Sequence, residues 1–251
     1  YELNGEEYYI ARGVSDIKKI IDSKEYPLNR VVTSKLTSLN GLFQIKGGYD
    51  QAAVPDNFND DISNWDTSNI LSMEEVFSGW PKFNQDISNW DTSKVESMHG
   101  MFKTSKKVGN YYMGASSFNQ DISNWDVSNV KDMQGMFSGG IIGSLRPVSW
   151  NVPNPLENTK NPTSFNQPIG NWNVSNVESM EDMFDGATSF NQDISNWNMS
   201  NVKDTFGMFS GATSFNQDIS NWNMSNIQDT SNMFNGATSF NQDISNWNMS
   251  N

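Results

Sequence analysis

The chain has 251 residues, with 29 acidic and 16 basic side chains and a formal net charge of −13 at pH 7. The acidic balance disfavours nucleic acid and anionic membranes as partners, and the absence of Cys excludes disulfide bonds and thiol catalysis. No run of about 18 apolar residues occurs, so we expect no direct membrane insertion. Nine Trp, fifteen Phe and thirteen Met nevertheless predict a folded core.

The first thirty residues differ from the rest of the chain. The dipeptide Asn4-Gly5 is typical of a hairpin turn, and Ser15 is the predicted N-cap of a short helix that follows. The apolar face of this helix comprises Ile17, Ile20 and Ile21. We expect residues 1–30 to form an N-terminal cap, because repeat arrays need an end that covers the first unit.

Residues 31–251 consist of 25-residue units, each beginning with a segment similar to "FNQDISNW". We number each unit from its first Phe, as position 0. The units begin at Phe58, Phe83, Phe118, Phe165, Phe190, Phe215 and Phe240. Residues 31–43 are a degenerate half-unit, with Val31 at +7 and Phe43 at +19. Because one coil cannot bury its few apolar side chains alone, the period predicts a solenoid of stacked units.

Apolar residues recur at the same positions in every unit. Position +4 is Ile, +7 is Trp, +12 is Val or Ile, and +19 is Phe. We therefore expect the seven Trp to form one stacked column, with Phe at 0 and +19 in the core. A core Trp→Ala change in a middle unit should cost about 3–5 kcal/mol.

The two halves of the unit predict different elements. Around the Ile at +4 we expect a short parallel strand. Ser at +10 is the predicted N-cap of a short helix, and Ser93 with Glu96 and Ser175 with Glu178 match the capping-box pattern. Positions +12, +15, +18 and +19 would lie on one helical face, and Gly at +21, as in Gly186, would end the helix. The expected fold class is an α/β repeat solenoid.

The segment "FNQDISNWDTSKVESMHGMF" resembles the repeat of BspA-like leucine-rich-repeat surface proteins, over residues 31–251. The resemblance implies a leucine-rich-repeat-like, right-handed coil of short parallel strands and short helices. It also implies an exported protein, at the cell surface or secreted, that binds an extracellular protein or glycan. Neither enzymatic activity nor a cofactor is expected. The alternative is a structural spacer or fibre module that associates with itself.

Polar columns accompany the apolar ones. Asn at +1 and +6 is interpreted as a structural ladder of stacked amides. Asp at +3 and, in three units, at +8 would repel its copies in neighbouring units. A bound Ca²⁺ could relieve this repulsion, but exposure to solvent relieves it too, so we expect no metal site. An ice-binding face is a weaker alternative, because the Thr-X-Thr pattern is missing.

His99 is the single His of the chain. A catalytic His needs a partner and a cleft, and no regular spacing in the sequence provides either. We therefore expect His99 to be solvated and no residue to be catalytic.

Three insertions interrupt the repeat at one point, after the Phe at +19. They occupy about residues 44–57, 103–117 and 138–164, so we expect them to project from one edge of the solenoid. They carry Tyr, Trp and Arg, which dominate binding hot spots. Trp80 adds an off-pattern aromatic residue in a turn without an insertion, between the first and second insertions. The candidate ligand-binding residues are Tyr49, Trp80, Lys106, Lys107, Tyr111, Tyr112, Arg146 and Trp150. The alternative is that the insertions only pack over the units.

The C-terminal residues, as far as Asn251, repeat the sequence of the preceding units. A solenoid ends in an atypical cap, so we expect further repeats or an anchoring region to follow in the full protein. We also expect the final unit to be poorly ordered or covered by another molecule. An exposed parallel edge invites pairing, and self-association at the C-terminal edge is therefore expected.

Overall fold

The computed structural model describes residues 2–3, 5–43, 59–80, 82–104, 106–108, 111–113, 117–139 and 163–248. Strand β1 (Glu2–Leu3) pairs with β2 (Glu6–Glu7) in antiparallel fashion. Gly5 lies in the turn with φ +79°, so the predicted hairpin is confirmed. Strand β3 (Tyr9–Ile10) pairs in parallel with β4 (Val31–Val32).

Helix α1 (Val14–Ser23) is the predicted N-terminal helix, and a 3-10 turn (Leu28–Arg30) follows it. The N-cap is Gly13, without a side-chain hydrogen bond, so the assignment of Ser15 as N-cap was wrong. The Asp16 carboxylate accepts a hydrogen bond from the Arg12 N–H at 3.1 Å, and the helix begins two residues earlier than an N-cap at Ser15 would place it. Ile17 and Ile20 are buried.

The N-terminal region and the first unit share one apolar core. Leu28 and Val31 are buried in the same cluster as Trp65. The indole N–H of Trp65 donates to the Leu28 carbonyl at 2.9 Å, and the Asn64 amide donates to the Asn29 carbonyl at 2.7 Å. The N-terminal residues therefore occupy the place that a preceding unit would take.

Consecutive units lie side by side, parallel and in register. Isolated parallel bridges join position +14 of each unit to +14 of the next, namely Ser38, Ser72, Ser97, Asp132, Ser179, Asp204 and Asp229. Backbone N–H groups at +15, +17, +19 and +21 donate to carbonyls at +14, +16, +18 and +20 of the next unit. Between the first two full units, the Met73 N–H donates to the Ser97 carbonyl at 2.9 Å and the Phe77 N–H to the Met101 carbonyl at 2.9 Å.

The predicted helix in the second half of the unit was wrong. The described residues there form turns, because position +17 is left-handed in the half-unit and in all six complete units. The residues at +17 are Gly41, Glu75, Gly100, Gly135, Asp182, Gly207 and Asn232. A left-handed residue cannot continue a right-handed helix. The N–H groups at +15, +17, +19 and +21 donate to the neighbouring unit, whereas those at +18 and +20 donate only three residues back, as in turns.

The predicted strand around the Ile at +4 was also wrong, since the described residues there turn as well. The Trp at +7 donates its backbone N–H three residues back, as from Trp197 to the Ile194 carbonyl at 3.1 Å. The parallel pairing lies at +13 to +21 rather than at +4.

Aromatic rings form continuous columns through the core. Trp65 stacks on Trp90 with ring centroids 6.2 Å apart, and Trp197 stacks on Trp222 at 6.5 Å with an interplanar angle of 4°. The predicted Trp column is therefore confirmed for these consecutive pairs. The Phe at +19 also stacks on the next Phe at 0, as for Phe77 and Phe83 at 3.8 Å.

Within the part of the chain that the structure describes, no helix has the length and apolar character needed to cross a membrane.

Candidate binding surfaces

The Asn column at +1 holds the units together. The side-chain Oδ1 of each Asn accepts the backbone N–H of the Asn at +1 of the next unit, as from Asn84 to Asn59 at 2.8 Å. The same bond recurs in each later unit up to Asn241, which bonds Asn216 at 2.9 Å. The predicted structural ladder is confirmed for this column.

The Asp columns close turns within their own units. The Asp61 carboxylate at +3 accepts the Ser63 N–H at 3.0 Å and the Ser63 hydroxyl at 2.7 Å. Asp91 at +8 accepts the same pair of bonds from Ser93, at 3.0 and 2.6 Å. These Asx turns hold the pKa of both carboxyls below the ordinary value, first through the Ser hydroxyl and then through the backbone N–H.

Repulsion along the Asp column is weaker than these hydrogen bonds. At Asp86, bonds from Ser88 lower the pKa more than the charges of Asp121 and Asp61 raise it. Asn198 makes the same turn at +8 with a neutral amide, which accepts the Ser200 N–H at 3.1 Å. The turn therefore does not need a charge at +8. Among the described residues, no group of three or more His, Asp or Glu side chains has the arrangement of a metal site.

A second polar face contains His99 and several carboxyls at +14 to +17. The His99 Nδ1 lies 3.8 Å from Asp132 Oδ2, and the His99 side chain is 29% exposed. Burial raises the pKa of Asp182, which Lys103 opposes. Burial also raises the pKa of Glu181, with further contributions from Asp204 and Asp182. A raised pKa means that the ionised carboxylates of Asp182 and Glu181 oppose folding, and this penalty decreases as the pH falls.

The insertions leave and rejoin the stack at one point of the unit. The bonds between units continue to +21 at the start of the second and third insertions, where the Thr104 N–H donates to the Ser138 carbonyl at 2.8 Å and the Gly139 N–H to the Asp185 carbonyl at 2.6 Å. After the second insertion, Phe118 resumes the column at 6.0 Å from Phe83. Both insertions therefore begin at the same edge of the stack.

Most of the predicted ligand-binding side chains lie outside the described residues, including Tyr49, Arg146 and Trp150. The backbone of the second insertion forms a hairpin of β5 (Lys106–Val108) and β6 (Tyr111–Met113), with Lys107 opposite Tyr112. The structure describes the backbone of Lys106, Lys107, Tyr111 and Tyr112 but not their side chains. Their role in binding stays a prediction.

Trp80 lies in the interval where other units carry insertions, but its side chain is buried in the core. It is 5% exposed, its ring centroid is 5.9 Å from that of Phe43, and its indole N–H donates to the Phe43 carbonyl. Trp80 occupies position +22, which is a buried Ala in later units, as at Ala187 and Ala212. The alignment of Trp80 with buried Ala residues at +22 could have predicted that Trp80 is a core residue. The buried Trp80 ring offers little surface to a ligand.

A groove that sequence reasoning missed runs along positions +11 and +13. It encloses about 360 Å³. Its lining consists of Asn129, Lys131, Asn176, Glu178, Asn201 and Lys203. A second depression, lined in part by Leu71, Lys94 and Glu96, shares Asn129 and Lys131 with the first. The residue at +13 differs from unit to unit, so the sequence did not indicate a conserved column there. The alternation of Glu and Lys at +13 in consecutive units was the feature that could have predicted the groove.

Ion pairs between units order the side chains at +13. Lys131 Nζ lies 2.7 Å from Glu96 Oε2, and Lys203 Nζ lies 2.5 Å from Glu178 Oε2. The Asn at +11 lies beside them and donates to the Ser at +10 of the preceding unit, as from Asn129 to the Ser93 carbonyl at 2.6 Å. The groove thus presents charges in a fixed order at regular spacing.

Comparison with known proteins identifies one matching protein family. Searches of curated proteins and of solved structures gave no significant match. A family model described as "Mycoplasma protein of unknown function, DUF285" matches residues 15–111, 49–160 and 154–251. Three overlapping matches agree with the internal repeats and together span most of the chain. The chain therefore belongs to this repeat family.

Proposed function

We propose that this chain is a non-enzymatic repeat scaffold of a bacterial surface or secreted protein, and that it binds an extracellular protein or glycan through its insertions. The fold is a leucine-rich-repeat-like, right-handed solenoid of the BspA-like type, with turns in place of the helices. The observation that carries the proposal is the common edge. The second and third insertions start after +21 of a hydrogen-bonded stack, and the first occupies the same interval in the sequence.

The repeat columns support this proposal because their polar groups already serve the fold. The Asn at +1 bonds the next unit, the Asp at +3 closes a turn, and the Trp at +7 donates to the preceding unit. Such positions leave little chemistry for a ligand. The insertions carry the Tyr, Trp and Arg side chains that dominate hot spots.

The insertion edge can be tested by loop replacement. Residues 103–117 and 138–164 are each replaced by the Ser-Gly-Ala-Thr-Ser segment of residues 210–214. The unmodified chain and the shortened variant are then screened against arrays of glycans and extracellular proteins. We expect the variant to keep its circular dichroism spectrum and thermal transition, and to lose the main interaction.

Variants with only one insertion replaced are the matched controls, because they separate the two loops. Unchanged binding by the doubly shortened protein would refute the proposal. Unfolding of that protein would show that the insertions serve packing. Absence of any ligand for the unmodified chain would favour the alternative of a self-associating structural spacer, which the order of charges at +13 also favours.

A further inference from the structure

The side chains at +13 form a column in which the sign of the charge alternates. Glu96, Lys131, Glu178 and Lys203 belong to four consecutive units, and their side chains are between 51 and 58% exposed. We call these four residues the charged column. Neighbouring parallel backbone segments lie about 4.8 Å apart. The charged column is therefore a row of four regularly spaced charges in the order minus, plus, minus, plus.

This face differs electrostatically from the rest of the molecule. The chain has a net charge of −13, so two copies repel each other over most of their surfaces. Among the described residues of the half-unit and the full units, insertions excluded, the Lys side chains are Lys35, Lys82, Lys94, Lys103, Lys131 and Lys203. Four of these six lie at +11 or +13, beside two Glu. The repulsion between two copies is therefore weaker here than over the acidic columns of the units.

We propose that a second copy of this chain docks on the charged column in antiparallel orientation, about a twofold axis between Lys131 and Glu178. Reversing the order minus, plus, minus, plus gives plus, minus, plus, minus, so the column is complementary to its own reversed copy. Glu96 of each copy then faces Lys203 of the other copy, and Lys131 faces Glu178. Both columns have the same spacing, so all four positions align at once. An isologous contact of this kind closes as a dimer.

The order of charges also selects the register. A shift of one unit would place Glu96 of one copy opposite Glu178 of the other, and the two Lys131 side chains opposite each other. Repulsion between these like charges disfavours the shifted register. The existing pairs, such as Lys131 with Glu96 at 2.7 Å, remain and join the new ones in a network of eight charges. Single exposed ion pairs contribute little, but networks contribute more. The described starts of the second and third insertions follow +21, eight positions beyond the charged column.

Sedimentation velocity over a range of protein concentrations tests the proposal. We expect the unmodified chain to associate to a dimer at low ionic strength and to dissociate in 1 M salt, where screening shortens to about 3 Å. The double variant Lys131→Glu with Lys203→Glu carries four like charges in the column. The variant Glu96→Lys with Glu178→Lys does so with the opposite sign. Each alone should associate at least about tenfold more weakly than the unmodified chain.

Mixing the two double variants should restore the dimer, because an all-minus column faces an all-plus column. Restoration also shows that both variants are folded. The fourfold variant, with all four charges reversed, is again complementary to its reversed copy and should dimerise like the unmodified chain. A chain that stays monomeric at low salt would overturn the proposal. So would double variants that associate unchanged, or a mixture that does not associate. These outcomes are independent of whether the insertions bind a ligand.

Discussion

The Trp at +7 shows why one residue type recurs in every unit. The Trp197 ring stacks on its neighbour in the next unit, and its indole N–H donates to the Ile169 carbonyl of the preceding unit at 3.1 Å. Each of the seven Trp donates in this way, from Trp65 to Trp247. Phe could fill much of the volume but could not supply the donor.

Replacing Trp197 by Phe should therefore lower the free energy of unfolding by about 1–3 kcal/mol, because the buried Ile169 carbonyl loses its partner. The matched control is Trp247→Phe, since Trp247 makes the same bond to the Ile219 carbonyl but is only partly buried. Urea unfolding of both variants gives the two values. An equal loss at the two sites would contradict the burial argument.

The charge of Asp182 should oppose stability at neutral pH. Burial raises the pKa of Asp182 in the folded state, so its carboxylate destabilises the folded state above that pKa, and the penalty disappears as the pH falls through it. Asp182→Asn should therefore raise the Tm at pH 7 and change it less at pH 3. Asn232 holds the same left-handed position in another unit, so Asn fits there. Thermal melts at the two pH values measure the effect.

Asp218→Asn is the control of opposite sign. The Ser220 N–H and then its hydroxyl lower the pKa of Asp218, so its carboxylate stabilises the folded state above the unfolded pKa, and this contribution is lost as the pH falls through the folded pKa. We expect Asp218→Asn to lower the Tm at pH 7 and to leave it unchanged at acidic pH. The same response of both variants would refute these assignments.

At the scale of the element, the repeat period was predictable and the local conformation was not. Apolar residues at +12, +15 and +19 have helical spacing, but the N–H groups at +15, +17, +19 and +21 bond the next unit. Contacts between units therefore override the local pattern. Gly100, Gly135 and Gly207 at +17 were the signal for a left-handed turn. Glu75 and Asp182 at the same position obscured it.

Gly207→Ala should test the left-handed turn. Gly207 has φ +60°, and a Cβ there would clash with Asp182 Oδ1. We expect a loss of about 1–2 kcal/mol or more in the free energy of unfolding. Gly13→Ala is the comparison, since Gly13 has an extended φ of −174° and a Cβ would meet its nearest atom at 3.9 Å, so the smaller loss expected there is that of a favoured N-cap residue. Urea unfolding in which both variants kept full stability would argue against the turn at +17.

In the whole molecule, the hydrophobic core consists of continuous columns of side chains that run from unit to unit, rather than of one central cluster. Phe209 is fully buried between units, whereas Phe234 and Phe240 are only partly buried. Identical residues at a fixed period were enough to predict the columns and the common insertion point. The groove at +11 and +13 was not predictable in this way, because its position depends on how each turn directs its side chains. Trp80 was misjudged because its place in the +22 column was overlooked.

The stacking of units in register is the central claim, and exchange of the indole N–H protons tests it most directly. Two-dimensional NMR in deuterated buffer would follow these signals over time. We predict slow exchange for Trp90, Trp125, Trp172, Trp197 and Trp222, whose N–H groups are buried in bonds to a preceding unit. Trp247, which is only partly buried, should exchange faster. Exchange of all these protons at the rate of an unfolded chain would contradict the account.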